Sequence, residues 1–258
     1  MRKELKVAIE AAQEAGKILK EMFGKVSREL KADKTIVTKA DLEADKAIRS
    51  IIEKHFPDHS ILDEESPEKV GSEFKWFIDP LDGTTNFSTY IPFFNTSIAL
   101  FKGDEPIIGV VHSPFLGETF FAEIGNGAFL NNKKINVSET GKIEKSIIGF
   151  CHGCDEKSIN RIIKIFAKMK RINPKFRQFG SAALELCYLA CGRIDAFLLP
   201  GLRAWDVAAG FLIAKEAGAT VTDFESNPFT INSKDLLATN GKIHQRLLEI
   251  LRETKNQY

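Results

Sequence analysis

The sequence predicts a mixed α/β fold in two textures: an α+β half built on an antiparallel sheet, then a half in which helices and strands alternate. Apolar residues near the N-terminus recur at the helical period, short strand-like runs crowd the interval 60–124, and beyond about residue 140 helical and strand-like patterns take turns.

Leu5, Ile9, Ala12, Gly16, Leu19 and Phe23 share one helix face, and Gly24 stands where such a helix ends. A second helix begins near Asp41, runs through Ala47, Ile48, Ile51 and Ile52 to His55, and is stopped by Pro57. Segments 60–62, 74–78, 96–101, 107–112 and 119–124 are rich in β-branched or aromatic residues. Turn formers such as Gly103-Asp104 and Gly125-Asn126-Gly127 separate them, which predicts an antiparallel meander. The second texture reads as strand 146–151, helices 157–169 and 181–191, strand 195–199, helix 206–217, strands 220–223 and 236–239, and a last helix from His244. No fixed-period repeat, low-complexity run or Pro/Ser/Gly linker divides the chain, so its halves, 1–140 and 141–258, are expected to form one packed unit.

Composition narrows the class. A chain of 258 residues, 43% hydrophobic and 28% charged, is that of an ordinary folded protein. Its net charge of +1 leaves no broad excess to draw nucleic acid or an anionic membrane. No apolar run approaches the roughly 20 residues of a bilayer span, and Met1-Arg2-Lys3-Glu4 enters a charged helix, not a signal peptide. The expectation is a soluble cytoplasmic protein with no nucleic-acid and no membrane partner. Four cysteines are few for a disulfide scaffold. Cys151-His152-Gly153-Cys154 has CxxC form without the second pair that a structural zinc site would show. Cys187 and Cys191 suit small core residues; a redox pairing of Cys151 with Cys187 is the alternative to incidental thiols.

The most informative stretch is Trp76-Phe77-Ile78-Asp79-Pro80-Leu81-Asp82-Gly83-Thr84-Thr85-Asn86. An apolar strand runs into Asp79, Pro80 is expected to stop it, and Gly83-Thr84 reads as a turn opening a helix. Two carboxylates held this close raise one another's proton affinity unless a multivalent cation lies between them. Mg²⁺ suits such a place, because it prefers hard oxygen ligands, which the carboxylates, the Leu81 carbonyl and water supply. Backbone N–H groups at Gly83 and Thr84 would suit a phosphate oxygen. An isolated Asp-Gly would read as turn chemistry alone.

This stretch resembles, residue by residue, the signature of the inositol monophosphatase family, within the wider lithium-sensitive, Mg²⁺-dependent phosphatases that include fructose-1,6-bisphosphatases. A second family block stands far away at Arg203-Ala204-Trp205-Asp206-Val207-Ala208-Ala209-Gly210, where Asp206 alone would read as a helix-start acid. Ile61-Leu62-Asp63-Glu64-Glu65-Ser66, Ile36-Val37-Thr38-Lys39-Ala40-Asp41 and Gly180-Ser181-Ala182-Ala183 agree with the same family.

The resemblance implies an αβαβα sandwich. An N-terminal half with a large antiparallel sheet would carry most metal ligands, a C-terminal half would contribute Asp206 and substrate-side residues, and the site would lie at their junction. It implies two to three Mg²⁺ per active site: one on Glu64, Asp79 and the Leu81 carbonyl, one on Asp79, Asp82 and Asp206, and a weaker third touching Glu64. Thr84, hydrogen-bonded to Asp41 or Glu64, would orient and deprotonate a water that attacks phosphorus in line, with no covalent phosphoenzyme. Gly83, Thr84 and Ser181 would face the substrate, and no histidine is assigned a role. Family members are usually homodimers acting on a small phosphorylated metabolite.

Substrate choice is read from position 199. Members selective for inositol carry Glu seven residues before the second-block Asp; here that residue is Leu199. Losing such a hydrogen bond costs about 0.5–3 kcal/mol. Arg203, Arg177 and Lys175 are cations near substrate segments, and an Arg there would hold a second phosphate in bidentate fashion. Leu199 with Arg203 resembles the archaeal and thermophilic branch that accepts inositol 1-phosphate and fructose 1,6-bisphosphate. The alternatives are an adenosine 3′,5′-bisphosphate or NADP(H) phosphatase and, outside enzymes, a dimeric regulator of the transcription machinery. The intact set Glu64, Asp79, Asp82, Thr84 and Asp206 favours catalysis.

Overall fold

The computed structural model describes residues 1–30 and 36–255. Helix α1 (Lys3–Met22) leads to the short antiparallel pair β1 (Arg28–Leu30) and β2 (Ile36–Thr38), then α2 (Lys39–His55). A seven-stranded sheet follows, in spatial order β3 (Ser60–Asp63), β4 (Phe74–Asp82), β5 (Asn95–Lys102), β6 (Glu105–Ser113), β7 (Glu118–Glu123), β8 (Ala128–Leu130) and β9 (Lys133–Ile135). Only β3 and β4 pair in parallel; the rest is the expected meander. Helix α3 (Thr84–Ser88) sits between β4 and β5.

The second half supplies β10 (Ile148–Phe150), α4 (Glu156–Ile172), β11 (Phe176–Arg177), α5 (Ala182–Ala190), β12 (Ala196–Pro200), α6 (Ala204–Glu216), β13 (Thr220–Thr222), β14 (Asp235–Thr239) and α7 (His244–Lys255). Its strands form a five-stranded sheet in the order β11-β10-β12-β14-β13.

Side-chain alternation along the strands builds five layers. Trp76, Ile78, Ile98, Leu100 and Val110 pack on α1 and α2, whereas Phe77, Ala99, Phe101 and Val111 pack on α5 and α6. In the second sheet Phe197 and Leu199 face α5 and α6, while Ala196 and Leu198 face α4 and α7. The order is therefore helices, sheet, helices, sheet, helices, the αβαβα sandwich expected. Lying between two sheets, α6 is buried from Val207 to Ala214 without a polar stripe.

Pro80, where the sequence predicts β4 to stop, lies inside it. The register of β4 against β5 shifts between Asp79 and Asp82. A proline falls without cost at such a bulge, where no ladder donor is required, and its carbonyl accepts from Thr96 Oγ1 at 3.0 Å. The strand therefore continues to Asp82 and sets both acids at the end of the sheet. The sequence reading also passed over β1, β2, β8, β9 and β11, each three residues or fewer; the β8–β9 turn is marked by Asn131 at φ 54°. Among the described residues, no helix is long and apolar enough to cross a membrane.

Candidate active site

The acids come from four segments. Asp41 lies in the first turn of α2, where Thr38 N and Oγ1 donate to its Oδ2 at 2.8 and 2.6 Å. On the other oxygen it accepts from Thr84 Oγ1 at 3.2 Å. Burial pushes the Asp41 carboxyl up to about 6, against the opposing pull of the Thr38 and Thr84 hydrogen bonds.

Glu64 follows β3 in a loop fastened by Asp63, whose Oδ1 accepts from Glu65 N and Ser66 N at 3.0 and 2.5 Å. Asp63 is itself ion-paired to Arg49 of α2, and Ser66 Oγ donates to Asp45 at 2.6 Å.

Asp79 and Asp82 occupy the bulged end of β4. Asp79 Oδ1 accepts from Leu81 N at 3.1 Å. Its carboxyl is pushed well above the usual range, first by burial and then by the charges of Glu64, Asp82, Asp206 and Asp41. Asp82 is cradled by Ser181 Oγ at 2.7 Å, Ala183 N at 2.8 Å, Asn95 Nδ2 at 3.0 Å and Ala182 N at 3.2 Å. Burial still raises its proton affinity against those donors. Gly83 turns the chain at φ 95°, where an added Cβ would come within 3.0 Å of Phe93 O.

Asp206 opens α6 and accepts from Arg203 N at 3.0 Å. Burial pushes it up to about 7; the Arg203 N–H opposes this, and Asp82 and Glu64 add to it. Thr84 Oγ1 donates to Leu81 O at 3.0 Å as well as to Asp41.

The donor chemistry fits a hard divalent cation. All candidate ligands are oxygens, and Asp79 is 3% exposed, among like charges, with no cationic partner among the described residues. Among those residues no three His, Cys, Asp or Glu side chains already stand as a closed metal-holding group. What joins these carboxylates is mutual electrostatic reach.

Beside the acids opens a cavity of about 610 Å³ whose lining includes Glu64, Asp206, Arg203, Lys157, Arg161 and Lys234. Its loops cross closely: Gly153 N donates to Pro200 O at 2.9 Å, and a Cβ at Gly153 would lie 2.3 Å from Gly201 O. Arg161 is ion-paired to Asp235, while Lys157 and Lys234 have no acidic partner among the described residues.

The structure thus brings Glu64, Arg203 and Asp206 to the cavity and sets Ser181 behind Asp82. Three expected substrate residues lie elsewhere. Ser181 is 1% exposed and engaged with Asp82 and Asn95, outside the cavity lining. Leu199 is 3% exposed and points into the layer of α5 and α6, because the alternation of β12 turns it inward. Arg177 is exposed on the edge strand β11, outside the cavity lining, and Lys175 donates to Lys145 O at 2.9 Å. Sequence reasoning missed Asn95, Lys157, Lys234 and Glu185. None of the four carries a local mark of the site in the sequence. The four cysteines are free thiols, and burial pushes Cys151 and Cys187 well above the usual thiol range.

Fold and cluster together define a class: layered α/β proteins that gather carboxylates where the bulged end of an interior strand meets helices packed between two sheets. The pattern of the inositol monophosphatase family matches residues 1–256. An inositol-1-monophosphatase from Synechocystis is 40% identical, covering 97% of this chain and 89% of its own. A fructose-1,6-bisphosphatase/inositol-1-monophosphatase from Thermotoga maritima is 38% identical over 96% of both chains. A Nus factor SuhB from Vibrio cholerae is 37% identical over 98% and 97%. The solved extragenic suppressor protein suhB of Bartonella henselae superposes with a TM-score of 0.93 at 35% identity, over 98% of this chain and 99% of that one. The chain belongs to the inositol monophosphatase family, a family of phosphatases.

Proposed function

We propose that this chain hydrolyses small phosphomonoesters, with inositol 1-phosphate and fructose 1,6-bisphosphate as substrates. In this reading Mg²⁺ is held by Glu64, Asp79, Asp82, Asp206 and the Leu81 carbonyl. The observation that carries it is Asp79, buried beside carboxylates from three other segments with no cationic side chain against it among the described residues. When bound, Mg²⁺ supplies the positive charge that makes the cluster tolerable, neutralises phosphoryl oxygens and lowers the pKa of a water.

The chain's own residues do the rest. Thr84 accepts a proton from the attacking water in this reading, while its own hydroxyl proton passes to Asp41 Oδ1, 3.2 Å away. A carboxyl held at about 6 suits that task at neutral pH. Asp82, fixed by four donors, keeps its orientation throughout. Lys157, Lys234 and Arg203 offer the cavity positive charge for a second phosphate, which supports the bisphosphate.

Phosphate release with and without Mg²⁺ tests this across inositol 1-phosphate, fructose 1,6-bisphosphate, adenosine 3′,5′-bisphosphate and NADP⁺. Mg²⁺-dependent turnover of the first two is expected. Hydrolysis of fructose 1,6-bisphosphate no faster than that of p-nitrophenyl phosphate would remove it as a substrate.

A second reading rests on relatives named Nus factor SuhB: a binding role in transcription. Complementation by Asp82→Asn separates the two, since a scaffold would survive that substitution and catalysis would not.

A further inference from the structure

We propose that Glu185 is a positioning residue for the metal centre: its buried carboxyl fixes the Phe179–Gly180 backbone that presents Ser181 and the first N–H groups of α5 to Asp82. This rests on reading Asp82 as a metal ligand.

Glu185 is 0% exposed. Its Oε1 accepts from Gly180 N at 3.2 Å, Phe179 N at 3.3 Å and Cys151 Sγ at 3.2 Å, and no cation is among these partners. From the other side Asn86 Nδ2 donates to Phe179 O at 2.8 Å. Phe179 is thus held by its N–H from Glu185 and by its carbonyl from Asn86, just before the left-handed turn at Gly180, φ 87°.

The next residue, Ser181, donates to Asp82 Oδ2 at 2.7 Å and accepts from Asn95 Nδ2 at 2.7 Å. Ala182 N and Ala183 N complete the cradle. A displacement at 179–180 therefore reaches the metal-facing carboxylate through one residue.

A buried carboxyl is an expensive way to fill space that a leucine would occupy. Among the described residues Oε2 has no hydrogen-bond partner, and it lies where a Cβ at Gly149 would come within 2.3 Å of it. Room has been kept for this group at residue 149, and its bonding is concentrated on the two N–H groups ahead of Ser181. Burial pushes Glu185 up to about 8, so its neutral form is one that glutamine reproduces.

The test compares Glu185→Leu, Glu185→Gln and Gly149→Ala with the wild type. Mg²⁺ affinity is measured by titration calorimetry, kcat and KM with inositol 1-phosphate, and folding by thermal melts. Glu185→Leu is expected to weaken Mg²⁺ binding about 10- to 100-fold, the usual effect of losing a group that orients a ligand. It should lower kcat while KM moves less than about twofold. Glu185→Gln should restore both, and Gly149→Ala, which pushes the carboxyl aside without removing it, should behave as the Leu variant does. A folded Glu185→Leu with wild-type Mg²⁺ affinity, or Gln no better than Leu, overturns the inference. If the Leu variant does not fold, Gly149→Ala decides: unchanged Mg²⁺ affinity there overturns it and weakened affinity supports it. A wild type that binds no Mg²⁺ refutes the underlying reading of Asp82, a result distinct from a wild type that binds and a variant that binds equally.

Discussion

The Thr84 hydroxyl has one proton and two acceptors in reach, Leu81 O at 3.0 Å and Asp41 Oδ1 at 3.2 Å. In the proposed reaction the proton goes to Asp41, so removing the hydroxyl removes the relay while leaving the fold of α3 intact. Thr84→Val is expected to lower kcat about 10²- to 10⁴-fold, the range for lost proton transfer, and Thr84→Ser to keep most of it. Steady-state kinetics check this, and an active Val variant would remove Thr84 from the chemistry. Glu185 gives a second prediction, about pH. Unfolded, it loses its proton near its ordinary value of 4.5; folded, burial holds the proton to about 8. Between those values the unfolded chain binds fewer protons than the native one, so stability falls as pH rises through this window. The contribution is whole below about 4.5 and lost above about 8. Urea unfolding across the window should show a shallower decline for Glu185→Gln, which carries no such proton.

At the scale of elements, packing decides how the site is aimed. Helix α6 brings Asp206 and lies so near β6 that a Cβ at Gly109 would come within 2.7 Å of Ala209 O. Gly109→Ala is therefore expected to cost about 1–3 kcal/mol in urea unfolding, as overpacking does, and to weaken Mg²⁺ binding by shifting Asp206. Unchanged stability would mean that α6 has slack the contact denies. Much of this architecture was legible: α1 and α2 announce themselves by periodicity, and the meander by two-residue turns such as Gly103-Asp104 between β5 and β6. Asp79, Asp82 and Asp206 stood in recognisable motifs. Pro80 misled because a bulge tolerates a proline that a regular ladder would not. Leu199 misled because β12 is buried on both faces, so apolar residues alone do not show which side each one faces. Lys157 and Lys234 were hidden for a different reason: a surface lysine carries no local mark of the cavity that distant loops build around it.

For the molecule as a whole, the layer of α5 and α6 is the decisive feature. Ala183, Leu184, Ala209 and Leu212 belong to the core against the seven-stranded sheet, while Leu186, Leu189, Val207 and Phe211 belong to the core against the five-stranded one. Neither sheet keeps a covered inner face if those helices leave, so we expect a single cooperative transition in place of two separable halves. The proposed metal ligands add to this coupling, because Glu64, Asp79 and Asp82 come from one half and Asp206 from the other. A cation held by all of them binds only the assembled chain and adds to stability by mass action, about 2.7 kcal/mol per site at one hundred times its dissociation constant. Scanning calorimetry should therefore show one transition with or without Mg²⁺, moved to higher temperature by the ion and back again by a chelator. Asp206→Asn should keep the single transition and lose much of that shift. Two transitions, with Mg²⁺ moving only one, would instead mean that each half carries its own core and that the ion is held within one of them.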